Sequence, residues 1–172
     1  MKRNLLPLLI SLAALPFLSV RGEDNIQLVA GLNPSSGSNV KGTVMFTSGA
    51  DGTKVVVDIT GLTPGKHGLH IHEKGDCSAP DASSAGAHFN PLHSHHGGTD
   101  TPERHAGDFG NITADASGKV HLEMKDKNLK LSGPDSVLGR SVVVHEKEDD
   151  LKTDPSGNSG ARVACGVIEA AK

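Results

Sequence analysis

The sequence predicts an all-β fold, an antiparallel sandwich or barrel, and three observations carry that expectation. Short apolar or alternating runs recur between turn residues from residue 25 onward. Twenty-one Gly and nine Pro in 172 residues suit short strands and loops better than a helical bundle. No long segment shows the 3.6-residue period of an amphipathic helix. The length suits one domain with a core of ordinary size. With no Trp, no Tyr and four Phe, that core is built mainly from Val, Ile, Leu and Ala.

The runs follow in order. Ile26 to Leu32 is the first, ended by Asn33-Pro34 and a Ser/Gly cluster. Val40 to Thr47 is the second, closed by the turn Ser48 to Gly52. Lys54 to Thr60 follows, with Val55, Val57 and Ile59 alternating against Val56 and Asp58. Thr63-Pro64-Gly65 turns the chain into Gly68 to Glu73, and later runs are Lys119 to Met124, Arg140 to His145 and Arg162 to Ile168. Residues 74–118 and 146–161 break the rhythm as long polar stretches rich in Gly, Asp, Ser and Pro. Loops of that length in a compact domain are functional or disordered. The first holds five of the ten His, which marks it as functional.

Residues 1–22 read as a secretory signal, leaving residues 23–172 as the domain. Lys2 and Arg3 form a charged start, and Leu5 to Val20 is almost wholly apolar before Arg21. Pro7 and Pro16 interrupt that run, which at about 16 residues is short for a membrane span. The cleavage site is undefined, with Val20-Arg21-Gly22 the small-residue candidate, and an uncleaved anchor is the alternative. Export places the protein in the periplasm or outside the cell, and Cys77 and Cys165 in an oxidising compartment. They are the only two cysteines and so the only available disulfide, two free thiols being the other reading. Without residues 1–22 the chain carries 14 basic against 20 acidic residues, net −6. That balance excludes nucleic acid, and an anionic membrane after signal cleavage, as partners, because both select basic surface.

Histidine spacing points to metal. In His70-Ile71-His72 on a strand, both imidazoles project from one face while Ile71 faces the core. His88, His96, His105 and Asp108 offer three nitrogens and a carboxylate, a donor set suited to tetrahedral zinc with no open position. His70, His72, His88 and His145 offer four imidazoles, which suit Cu(II), although zinc or nickel also accepts such a set. His88 belongs to both sets, because a ring that loses both protons can bind one ion at each nitrogen.

These residues resemble the copper/zinc superoxide dismutases. The likeness lies in Gly68-Leu69-His70-Ile71-His72-Glu73, Ala87-His88-Phe89-Asn90-Pro91 and His105-Ala106-Gly107-Asp108. It continues in the stretch from Gly139 to Glu146 and in Arg162-Val163-Ala164-Cys165-Gly166-Val167-Ile168. The resemblance implies an eight-stranded antiparallel Greek-key barrel or sandwich, immunoglobulin-like, with two long functional loops. It implies copper on His70, His72, His88 and His145, and zinc on His88, His96, His105 and Asp108. It implies that Arg162 guides an anionic substrate, that Asp149 links His70 to His96 behind the metals, and that Cys77 pairs with Cys165. His93, His95 and His96 are three candidate rings for one zinc position. The family motif selects His96, just before Gly97-Gly98, over His95.

The implied activity is conversion of superoxide to dioxygen and hydrogen peroxide by a redox-active copper, with zinc structuring the site. Arg162 and His88 are the catalytic residues, superoxide the substrate, and a homodimer is open. The Cys77 to His88 segment is long and the Asp149 to Arg162 loop short against the animal enzymes, which resembles the exported bacterial branch. His67 is expected to be a structural hydrogen-bonding ring, and His93 and His121 to face solvent. Asn111-Ile112-Thr113 has the form of a glycosylation acceptor, a triplet common by chance.

Overall fold

The computed structural model describes residues 25–172, and the expected signal at 1–22 lies outside them. Eight strands run in order: β1 (Gln27–Pro34), β2 (Lys41–Thr47), β3 (Thr53–Thr60), β4 (Gly65–His72), β5 (Asp108–Ala114), β6 (Val120–Asp126), β7 (Ser141–His145) and β8 (Arg162–Ala170). The only helical element among the described residues is a single 3-10 turn at Ser83–Ala85.

All pairings are antiparallel, in the sheet order β5-β4-β7-β8-β1-β2-β3-β6. β1-β2-β3 is a meander, whereas β3 to β4 and β6 to β7 jump across the sheet, the crossings of a Greek key. The two outermost strands, β5 and β6, follow each other in the chain through a turn in which Asp115 N donates to Lys119 O at 2.9 Å. That turn draws the ends of the sheet together into a nearly closed barrel. Phe46 of β2 and Phe109 of β5 meet inside it, ring centres 6.4 Å apart.

Alternation builds the interior. Val55, Val57 and Ile59 of β3 are buried together with Leu28, Ala30, Val44 and Phe46, as their period of two predicts. Each such side chain larger than alanine contributes about 1.5–3 kcal/mol by leaving water. β4 and β7 depart from simple alternation because both of their faces are covered. Leu69, Ile71, Val142 and Val144 enter the core, while His70, His72 and His145 lie buried on the other face. The loops following β4 and β7 roof that outer face, so these polar side chains are dry without being in the core.

Cys77 and Cys165 form a disulfide, which pins the start of the first loop to β8. Cys165 packs with Val143, Ala82 and Ala85 in a small second cluster. The closed loop spans 88 residues. In the chain-entropy account such a closure stabilises by about 4.5 kcal/mol. Cys77→Ser should therefore lower the midpoint of thermal unfolding by about 10 °C or more, read by calorimetry with and without reductant.

One strand departs from expectation. β5 lies inside the stretch read as loop up to residue 118. Its alternation is broken at Gly110, which takes φ 71°, and the ladder with β4 shifts register between Gly68 and His70. A bulge of this kind hides a strand from a period-two reading.

Candidate metal centre

The register of β4 and β7 sets the site. His70 stands opposite Val143 and His72 opposite Ser141, on the outer face. His145 ends β7 opposite Arg162, the first residue of β8. On the other side of β4, His70 pairs with Asp108 at the start of β5. An isolated bridge joins His72 to His88, so the loop returns against the strand. The sheet thereby gathers residues from four distant segments onto one face.

They form two groups. His70, His72, His88 and His145 make one, and His88, His96, His105 and Asp108 the other, all buried, with candidate ligand atoms in each group within 4.8 Å of one another. His88 is common to both. The rings of His70 and His88 approach to 3.9 Å between centres.

Hydrogen bonds fix how the rings face. His70 Nε2 and His96 Nε2 donate to the two oxygens of Asp149, at 2.7 and 2.8 Å. His72 Nδ1 donates to Gly86 O at 2.9 Å, and His145 Nδ1 lies 3.3 Å from Gly160 O. His88 Nδ1 lies 2.9 Å from Asp108 Oδ1. Except at His88, whose Nδ1 faces the second group, each contact turns one nitrogen outward and aims the other inward, the arrangement by which outer partners orient metal-binding imidazoles. The inward atoms are His70 Nδ1, His72 Nε2, His88 Nε2 and His145 Nε2 in the first group, and His96 Nδ1 and His105 Nδ1 in the second. The four of the first group are buried with no hydrogen-bond partner, whereas His96 Nδ1 and His105 Nδ1 converge on the Asp108 carboxylate at 3.0 and 3.3 Å.

Burying an unpaired polar nitrogen costs about 1–3 kcal/mol, so four together in one group call for a common cause. Nitrogen-only donors in one group and nitrogen plus carboxylate in the other fit copper and zinc respectively. Protonation offers no competing cause in the first group. Burial, followed by the neighbouring His88, holds His72 down to about 2, and burial with His70 holds His145 down to about 3. Burial also lowers His88 to about 4, although Asp108 pulls the other way. These rings are neutral at ordinary pH, with lone pairs pointing inward. In the second group burial opposes charge on His96, but Asp108 and Asp149 raise it to about 10. Burial pushes Asp108 up, yet hydrogen bonds from His105, His88 and His96 carry it far below the usual carboxylate range. That is the balance expected of an anionic hole shaped for a cation.

The family model described as copper/zinc superoxide dismutase (SODC) matches residues 40–168. The chain belongs to this family. Its relatives include the extracellular superoxide dismutase [Cu-Zn] of Brugia pahangi, 45% identical over 78% of this chain and 71% of that protein. Superoxide dismutase [Cu-Zn] 2 of Mesembryanthemum crystallinum is 47% identical over 83% of this chain and 94% of that one. Among solved structures, the clock protein EA4 superposes with a TM-score of 0.78 and 40% identity, covering 87% of this chain and 98% of its own. The barrel, the copper/zinc chemistry and the redox activity expected from sequence thus stand. The relatives are eukaryotic, so the narrower expectation of a bacterial-type branch draws no support from them.

Within the superoxide dismutase frame, the other histidines separate cleanly. His96 is buried in the second group, while His95 is exposed and pairs with Asp154 at 2.6 Å. His67 places its ring nitrogens 3.0 Å from His145 O and 2.9 Å from Thr63 O, a structural role with no nitrogen left over. His93 and His121 are exposed, the latter against Asp58.

Several contributors escaped the sequence reading. Asp154 accepts the His96 backbone N–H at 2.7 Å. Arg104 is buried, pairs with Asp126 and donates through Nε to Asp108 O at 3.1 Å, tying a zinc-group residue to the end of β6. Gly157 has φ 60°, and a Cβ there would lie 1.8 Å from Asp149 Oδ1, so the loop can close over the carboxylate only with glycine. Asn111 donates to Asp149 O and accepts from Asp149 N, both at 2.8 Å. The amide of the glycosylation-like triplet is thus engaged with the roof of the site. Asn111→Ala should weaken zinc retention by less than the about 10–100-fold that follows loss of a ligand's direct outer partner, because it acts through Asp149, measured by chelator competition. Unchanged retention would remove the clamp from the account.

Proposed function

We propose that the chain disproportionates superoxide, holding copper at His70, His72, His88 and His145 and zinc at His88, His96, His105 and Asp108. The observation that carries this is a group of four unpartnered ring nitrogens beside a second group whose rings converge on Asp108, the two sharing His88. When bound, copper supplies the reversible one-electron couple by which two superoxide ions and two protons become dioxygen and hydrogen peroxide, while zinc supplies fixed charge.

The chain does the rest. Asp149 braces one ring of each group, so the two sites share a backing. His88 directs Nδ1 to the Asp108 side and borders the cavity at the mouth of the site. Its Nε2 is the atom at which a proton can be held and passed to the reduced oxygen. That mouth has a volume of about 420 Å³ and is bordered by His72, His88, His145, Ser156 and Arg162. Arg162 donates Nη1 to Ala82 O and Nη2 to Gly86 O, both at 2.7 Å. Those bonds hold a permanent positive charge at the entrance without using all five donors. A half-buried guanidinium on a net negative protein is a focused attractor for a small anion.

All seven metal-facing residues come from one chain, so a homodimer would add stability without completing the site. We place the protein outside the cytoplasm, in periplasm or extracellular space, on the formed disulfide and the signal-like residues 1–22.

Copper and zinc analysis paired with a superoxide-consumption assay tests the reading. One ion of each per chain together with turnover is expected. Stoichiometric metal without turnover would instead make this a storage or delivery protein.

A further inference from the structure

Arg162 is held by two backbone carbonyls and not by a carboxylate, so its charge is unneutralised by direct pairing. The carbonyl of Ala82 belongs to a tight turn in which Ala82 takes φ 56°. Asp81, the preceding residue, is exposed and anchored to the turn. Its Oδ1 accepts the backbone N–H of Ser83 at 3.0 Å, which curls the carboxylate over the turn that holds the guanidinium. Ser83 and Arg162 border the same cavity.

We propose that Asp81 is a rate-setting residue of the entrance, a fixed negative charge that opposes Arg162 and slows capture of small anions. This rests on the superoxide reading. Other charges nearby do not duplicate it. Glu146 and Lys147 both lie close to Gly160 and oppose each other in sign, and Glu73 is engaged with the Ala87 backbone N–H at 3.2 Å. Among the described residues Asp81 has no cationic side chain in salt-bridge contact, and the charge it feels is that of Arg162, which lowers its proton affinity after the Ser83 bonds do. Burial lowers the proton affinity of Arg162, and Asp81 raises it in return.

In a water-like dielectric a unit charge changes the local concentration of a small anion roughly twofold at separations near the Debye length. Asp81→Asn removes the charge and keeps an oxygen for the Ser83 N–H, so the turn is preserved. Asp51→Asn, on the exposed β2–β3 turn beside Lys125, makes the same change in net charge elsewhere. In copper- and zinc-loaded protein, kcat/KM of Asp81→Asn should rise about two- to threefold at low ionic strength and merge with the parent near 1 M salt, where screening reaches about 3 Å. Asp51→Asn should stay near the parent. A second arm needs no turnover. Azide titrated into zinc-loaded, copper-free protein, followed by NMR of the Arg162 guanidinium, should bind about two- to threefold tighter in Asp81→Asn. A variant no faster than Asp51→Asn, or slower than the parent, with azide affinity unchanged, overturns the proposal. An inactive parent would overturn the superoxide reading instead, leaving the azide arm to decide on Asp81.

Discussion

His88→Ala should abolish measurable superoxide turnover and weaken both ions at once. The ring sits 2.9 Å from Asp108 through Nδ1 and presents Nε2, buried and unpartnered, to the other group. Without it the first group keeps three imidazoles and the second keeps two with Asp108. Loss of an outer partner lowers metal affinity about 10–100-fold. Loss of a shared ligand should exceed that range for both metals, read by chelator competition on each ion separately. The metal-free fold should change far less, because the deleted ring carries an unsatisfied nitrogen whose burial already opposes folding. Copper lost with zinc fully retained would show that the ring serves one ion only.

The second large effect belongs to the entrance. Arg162→Ile should reduce kcat/KM at low salt about tenfold or more, within the 10–10³ range that electrostatic focusing supplies. Copper and zinc content should stay at parental levels, since the guanidinium bonds only Ala82 O and Gly86 O. The parental rate should fall as salt rises and the variant's should hardly respond, because the steering charge is gone. Arg162→Lys separates charge from shape: it restores a cation but not a fork able to hold both carbonyls. A variant as fast as the parent at low ionic strength would remove Arg162 from catalysis. One that lost its metals would make the residue structural.

The contrast between these variants reflects how the site is built. Metal-facing atoms are fixed by strands β4, β5 and β7 and by loop residues pressed against them. The entrance charge is hung from a turn, Ala82 to Gly86, whose position depends on the nearby disulfide. Gly86 O also accepts from His72 Nδ1, so the turn couples the entrance to one ring of the first group.

How far the residues announced this varies by kind of interaction. Period-two alternation in Lys54 to Thr60 and the pair His70 and His72 with Ile71 between them were legible directly, because side-chain direction on a strand is a local property. The two donor sets followed from residue chemistry and from likeness to a family. β5 was illegible because a bulge at Gly110 and polar residues within the strand erase the alternation. Asn111 looked like a surface acceptor, yet it clamps the backbone of a residue 38 positions away.

The amino-acid order alone determined the all-β class, seven of the strands and the atoms able to hold two different ions. Only the folded chain decided that His96 is enclosed while its neighbour His95 points to solvent. It also decided that Gly157 and Asn111 close the roof above Asp149, the carboxylate that the family likeness already set behind both groups. The division has one physical cause. Alternation and ligand chemistry are written in neighbouring residues, whereas enclosure and hydrogen-bond partnership depend on segments that meet only when the sheet curls shut.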